Sequence, residues 1–332
     1  MANMKDVAEK AGVSVATVSH VINKTRHVSE PTRKKVLESM KELNYSPNKI
    51  ARSLRKKETK TIGFIVPDIS NFFFTGIANH IEQELNDNAY NVILCNSNED
   101  IEQEKNQLQT LNSYQIDGVI IAPAPGDHSY LYESSFNQDY PLVFIDRKPQ
   151  NYNCTSVLVN NFESSYNAVR KLIDKGHNKI GIITGLSGIT TTLERLKGYK
   201  KALKDHNIPV NDNYIFSGDS KFQAGYNSTK KLLKKTDITA LYVTNNLMCI
   251  GAVDCLNEHS VSIPEELAII GFDDYKWASI TDPPLSVISQ PIEELGKTAV
   301  KKLMEYIEGV ADENEKPQEI RLDTKFIERA SC

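Results

Sequence analysis

MKDVAEKAGVSVATVSHVI, residues Met4–Ile22, reads as two short helices joined by a tight turn. Met4, Val7, Ala8 and Ala11 recur at helical spacing and give the first helix one apolar face. Gly12 suits the reversal, because glycine takes positive φ without a Cβ clash. Ser14 is placed to cap the second helix, its hydroxyl accepting from a free N–H of the first turn. Val18, Val21 and Ile22 then face inward, and Val15, Ala16, Thr17 and His20 face outward. That pattern suits a helix seated in a DNA major groove. Val15 and Ala16 are small enough to let it sit deep and to pack on thymine methyls, and His20 can donate to or accept from a base. An ordinary helical hairpin with a solvated face is the plain alternative, and the sequence that follows weighs against it.

Beyond these helices, Asn23-Lys24-Thr25-Arg26-His27 is polar and partly basic, as a segment near phosphates would be. Ser29 is expected to cap a third helix with Pro31 in its first turn. Val36, Met40 and Leu43 then close a three-helix core, while Arg33, Lys34 and Lys35 read as a solvated face. Tyr45-Ser46-Pro47-Asn48 breaks the pattern, and Lys49–Arg55 is helix-compatible but too short to be stable alone. It is either a plain linker or a helix that folds only on DNA, inserting Leu54 between base pairs from the minor groove. Residues 1–60 carry 14 Lys and Arg against 6 Asp and Glu, net +8, whereas the whole chain is −4. The basic part alone therefore implies a polyanion partner.

After the charged connector Lys56–Lys60 the periodicity changes. Short apolar strands alternate with helix-length segments: residues 61–66, 91–95, 117–122, 142–146, 156–159, 179–184, 214–217, 240–244 and 267–271. Such alternation indicates parallel sheets with helices on both faces. The start Lys60–Ile65 is echoed by Lys179–Ile183, which suggests two similar α/β lobes. A strand at 285–289, a helix from Pro291 to about Glu308 and two short strands near 320–328 finish the pattern. No apolar run approaches the ~18 residues of a membrane span, and no signal segment opens the chain, so a cytoplasmic location is expected. The five cysteines lack metal or redox spacing, and the seven histidines lack zinc-ligand spacing, so no metal is expected. No dinucleotide fingerprint, phosphate loop or nucleophile elbow is present, and no catalytic residue or cofactor is expected.

The headpiece KDVAEKAGVSVATVSHVINKTRHVSE, the segment SPNKIARSL and the strand start TIGFIVPD closely resemble the LacI/GalR family of bacterial transcription repressors. KGHNKIG, RLKGY, IIGFDD and PPLSVISQP extend the resemblance over essentially the whole chain. HVINKTR and ARSL carry the nearest likeness, to the purine and ribose repressors. The resemblance implies a helix-turn-helix headpiece over 1–46 and a hinge helix and linker over 47–60. It implies a two-lobed, periplasmic-binding-protein-like effector and dimerisation domain over 61–332. Its first lobe would take about 61–160 and 291–321, and its second about 161–290 and 322–332. It implies a homodimer on a pseudo-palindromic operator, read by Val15, Ala16 and His20, supported by Thr17 and Asn23, with Leu54 as the hinge wedge. It further implies a small effector held by Asn71, Phe73, Phe74, Asp146, Thr191, Arg195, Asn245, Asp273 and Gln290. Those residue types suit a polyol, which wants paired donors and acceptors and an aromatic face.

Two departures tilt the expected effector from a purine towards a small sugar such as ribose. Asn245-Asn246 stands where relatives often have Asn-Asp, and Ser220 where they often have an aromatic, with Phe222 as the nearest replacement. Induction is the expected sign, and a purine co-repressor is the alternative. Docking of a phosphocarrier protein, as in catabolite-control relatives, stays open. A solute-binding component or an enzyme on the same lobes is the rival class, and the basic headpiece would have no use in either.

Overall fold

A computed structural model describes residues 2–45, 58–133, 136, 140–310 and 316–332. The expected hinge segment with Leu54 lies outside them. Backbone contacts divide the chain into two units, Met1–Thr59 and Lys60–Cys332.

The first unit has three helices, α1 (Met4–Ala11), α2 (Val15–Asn23) and α3 (Glu30–Glu42). Asn3 and Asp6 close a reciprocal cap on α1, and Gly12 ends it at φ 66°. Ser14 Oγ accepts from Thr17 N at 3.1 Å, so the cap expected of it is present. Ser29 sits at the start of α3 but makes no such cap; its hydroxyl pairs with Thr32 Oγ1 at 2.8 Å, because a second hydroxyl lies one turn on and competes for it. Val7, Val18 and Val36, one per helix, are fully buried in a shared core against which Met40 and Leu43 pack. Each is worth about 1.5–3 kcal/mol relative to leaving it in water.

The second unit contains two six-stranded sheets. Its elements run β1 (Thr61–Val66), α4 (Phe72–Asp87), β2 (Asn91–Asn96), α5 (Ile101–Ser113), β3 (Gly118–Ile121), β4 (Leu142–Ile145) and β5 (Ser156–Val159). The chain then crosses to α6 (Asn161–Asp174), β6 (Ile180–Thr184), α7 (Thr190–Asp205), β7 (Ile215–Ser217), α8 (Phe222–Lys235), β8 (Ala240–Val243) and α9 (Asn246–Glu258). β9 (Ala268–Phe272), α10 (Lys276–Ile280) and β10 (Ser286–Ser289) follow, then α11 (Ile292–Ile307), β11 (Glu319–Leu322) and β12 (Lys325–Ile327). The first sheet is ordered β11-β5-β4-β3-β1-β2 and the second β12-β10-β9-β8-β6-β7, the same winding twice. All described pairings are parallel except β10 with β12. One antiparallel edge is therefore added to the expected parallel sheets. Central strands β1, β3, β6 and β8 are near-continuous apolar runs because helices cover both their faces.

α11 returns to the first lobe, where Leu295, Ala299, Val300 and Leu303 join the core of Phe64, Ile77 and Ile120. The chain thus passes between lobes three times, near 160, 290 and 323. Gly198, within the RLKGY motif, lets α7 lie against α6: a Cβ there would come 2.3 Å from the Phe162 carbonyl oxygen. None of the described helices is long and apolar enough to cross a membrane.

Candidate functional site

In the first unit, α2 presents Val15 and Ala16 to solvent, with Thr17 and His20 half-exposed beside them. Thr17 Oγ1 pairs with Ser14 Oγ at 2.9 Å. His20 Nδ1 pairs with Thr25 Oγ1 at 2.8 Å, which steadies the ring against the turn that follows. Asn23 Nδ2 donates to Ser19 O at 2.9 Å, leaving its Oδ1 as the atom it can offer. The outward face is small and apolar at Val15 and Ala16 and polar at Thr17 and His20, a mixture suited to thymine methyls and base edges.

In the second unit, a cleft of about 560 Å³, its open mouth included, lies between the lobes at the carboxyl ends of the strands. That is where open α/β sheets place ligands. Asn71, Phe73, Phe74, Asp146, Thr191, Arg195, Asn245, Asp273 and Gln290, drawn from across the chain, all line it. Asp146 follows β4 and Asp273 follows β9, at matching places in the two windings. Both adopt positive φ, 65° and 75°, a region that Asp and Asn enter more readily than most non-glycine residues. Each donates its N–H to the next strand, Asp146 to Val157 O at 2.9 Å and Asp273 to Ile288 O at 2.7 Å.

Burial raises both carboxyls, that of Asp273 to about 6, while Arg195 opposes the rise at each. Gln290 Nε2 donates to Asp273 Oδ1 at 2.5 Å, and Gln290 Oε1 is buried with no partner. The guanidinium of Arg195 is fixed on three sides. Its Nε donates to Asn161 Oδ1 at 2.8 Å, its Nη1 to Thr244 O at 2.6 Å, and its plane stacks 3.5 Å from the Phe272 ring centre. Phe73 and Phe74 meet edge to face at 5.1 Å, and they also belong to the first lobe's core. Asn71 and Asn245 cap α4 and α9, accepting from Phe73 N and Met248 N at 3.0 Å each.

Sequence reasoning missed the most elaborate pair in the cleft. Arg147 Nη1 and Nη2 donate to both oxygens of Glu99, at 2.6 and 2.8 Å, and Nη1 also to Pro123 O at 3.1 Å. Burial alone would lower Arg147, but the Glu99 bonds outweigh it and hold its pKa raised. Its position directly after Asp146 at a strand end was the available signal. Asp68, Asp219 and Lys221 complete a lining with five carboxylates and three cations. Asn246, read as a missing carboxylate, is fully buried and donates to Asn71 Oδ1 of the other lobe at 2.9 Å, a bond a carboxylate could not make. Phe222, the nearest replacement for the aromatic missing at Ser220, is not in the cleft lining: it starts α8 and lines an adjoining hollow with Phe72 and Leu247, while Ser220 itself lines the cleft. Among the described residues no cluster of three or more His, Cys, Asp or Glu could hold a metal ion.

Residues 3–48 match the family described as bacterial regulatory proteins, lacI family. Residues 59–330 match periplasmic binding proteins and sugar binding domain of LacI family. The chain belongs to the LacI family. As such it is a DNA-binding transcriptional repressor under effector control, not an enzyme. Among its LacI-family relatives, the HTH-type transcriptional repressor PurR of Aliivibrio salmonicida is 37% identical over 308 residues, 92% of each chain. The ribose operon repressor of Haemophilus influenzae is 39% identical over 308 residues, again 92% of each. The solved Lac repressor bound to ONPG in its repressed state superposes with a TM-score of 0.89 at 27% identity, covering 100% of this chain and 99% of that one.

Proposed function

We propose that this LacI-family repressor binds a pseudo-palindromic operator as a cytoplasmic homodimer and is released from it by a small, neutral, polyhydroxylated effector, ribose being the best single candidate. The headpiece takes residues 1–46, the hinge 47–60 and the two-lobed sensor 61–332. Val15, Ala16 and His20 read base edges, Thr17 and Asn23 support them, and Leu54 wedges the central base step.

The observation that carries the effector reading is the pair of buried strand-end carboxylates, Asp146 and Asp273, one per lobe, lining one cleft with the immobilised Arg195. Two acceptors and a planar donor in fixed positions match a ring bearing several hydroxyls. The excess of carboxylates over cations in the lining disfavours a phosphorylated or otherwise anionic ligand. The likeness to PurR proteins supports a purine as the second reading. The named relatives lend no support to a phosphocarrier partner, and none is proposed.

Operator binding titrated by gel shift with D-ribose, hypoxanthine and guanine tests this. Release by ribose is expected. Tighter operator binding with a purine, and no response to sugars, would overturn it.

A further inference from the structure

The first turns of α7 carry two stripes of side chains at four-residue spacing. Thr191 and Arg195 line the cleft. Thr190 and Glu194, one residue earlier in each case, face the other lobe. Thr190 Oγ1 accepts from Lys148 N at 3.0 Å. Both carboxylate oxygens of Glu194 accept from Arg321 on β11, at 2.6 and 3.1 Å. Arg321 is itself held from behind, Nη1 donating to Val159 O at 3.3 Å and Nε to Glu319 Oε1 at 2.6 Å. Glu319 in turn takes Lys148 Nζ at 2.8 Å. A helix that moves when a ligand meets Thr191 and Arg195 must therefore also move the carboxylate gripping the opposite lobe.

Resting on the effector reading above, we propose that Glu194 and Arg321 are positioning residues that form a latch between the lobes, and that effector contact with α7 acts on lobe opening through this latch. Isolated surface ion pairs contribute little, but this one is bidentate, and its side chains are only 23% and 30% exposed. The Glu194 bonds raise the pKa of Arg321 against the opposing effect of burial, so its guanidinium stays charged. The other groups facing the pair are Glu319 and, through it, Lys148.

Amide hydrogen exchange of the full-length protein tests the proposal without knowledge of the effector. In Glu194→Gln, residues 146–150 and 185–195 should exchange about 3- to 5-fold faster than in the wild type. Exchange in α8 and α9 should be unchanged. Raising sodium chloride should speed exchange at those cleft segments in the wild type and not in the variant, which no longer has the charge to screen. Arg321→Lys, which keeps the charge and loses the fork, should fall between the two. The double variant Glu194→Gln/Arg321→Gln should exceed Arg321→Gln by less than Glu194→Gln exceeds the wild type. Wild-type exchange in Glu194→Gln would overturn the latch, and so would acceleration spread evenly over the second lobe or full additivity of the two changes. The effector reading is judged separately. If neither D-ribose nor hypoxanthine protects the wild-type cleft, that reading loses support, while the variants still decide the latch.

Discussion

Asp273 holds a buried carboxyl whose pKa lies near 6 against a free value of 3.8, burial being the cause. Between those values the folded protein keeps a proton that the unfolded chain has released, so stability falls as pH rises through that window. Above it the penalty is constant, on the order of 2–3 kcal/mol. Asparagine tolerates positive φ and can still accept from Gln290, so Asp273→Asn should keep the local geometry. It should raise Tm by several degrees at pH 7.5 and by much less at pH 4.5, while weakening effector binding about tenfold or more. Scanning calorimetry and titration calorimetry check the two halves; an identical Tm difference at both pH values would contradict the burial cost. In the headpiece, His20→Ala should relax preference at one base position per half-site, and an unchanged binding-site selection profile would count against a base-reading role.

Elements differ in how legibly the sequence announced them. The α1–α2 turn was plain because Gly12 and Ser14 act locally, each through its own backbone. Strand ends carrying Asp146 and Asp273 were legible because an apolar run stops at a polar residue there. The Arg147–Glu99 fork joins residues 48 apart, and nothing in local spacing signals a pair of that kind. The bond Asn246 makes was hidden for a related reason: its partner, Asn71, belongs to the opposite lobe and to a distant part of the chain. α7 shows what the family motif hides. Gly198 is there for packing, since any side chain would meet the backbone of α6. Gly198→Ala should destabilise the protein by about 1–3 kcal/mol in urea unfolding and displace Thr191 and Arg195 with the helix. A stability within about 0.5 kcal/mol of wild type would show that α6 and α7 can separate freely.

For the molecule as a whole, charge separates the work. The first 60 residues are net +8 in a chain that is −4 overall, so DNA affinity should be carried by counterion release from the basic part. Affinity for operator should fall about a thousandfold or more between 50 and 200 mM salt, measured by fluorescence anisotropy. A flat salt profile would contradict a phosphate-tracking headpiece. The doubled winding of the sensor could be read from its alternating strands and helices. The antiparallel edge formed by β12 could not, because three residues of strand carry no sign of direction.

The late strands have a consequence for how the protein is made. β11 edges the first sheet and β12 the second, and α11 supplies part of the first lobe's core. Neither half can be finished while residues 319–327 are still inside the ribosome, even though the first strand emerged some 260 residues earlier. A nascent sensor must therefore wait with raw sheet margins and an unfilled interior, and both halves come to completion almost together.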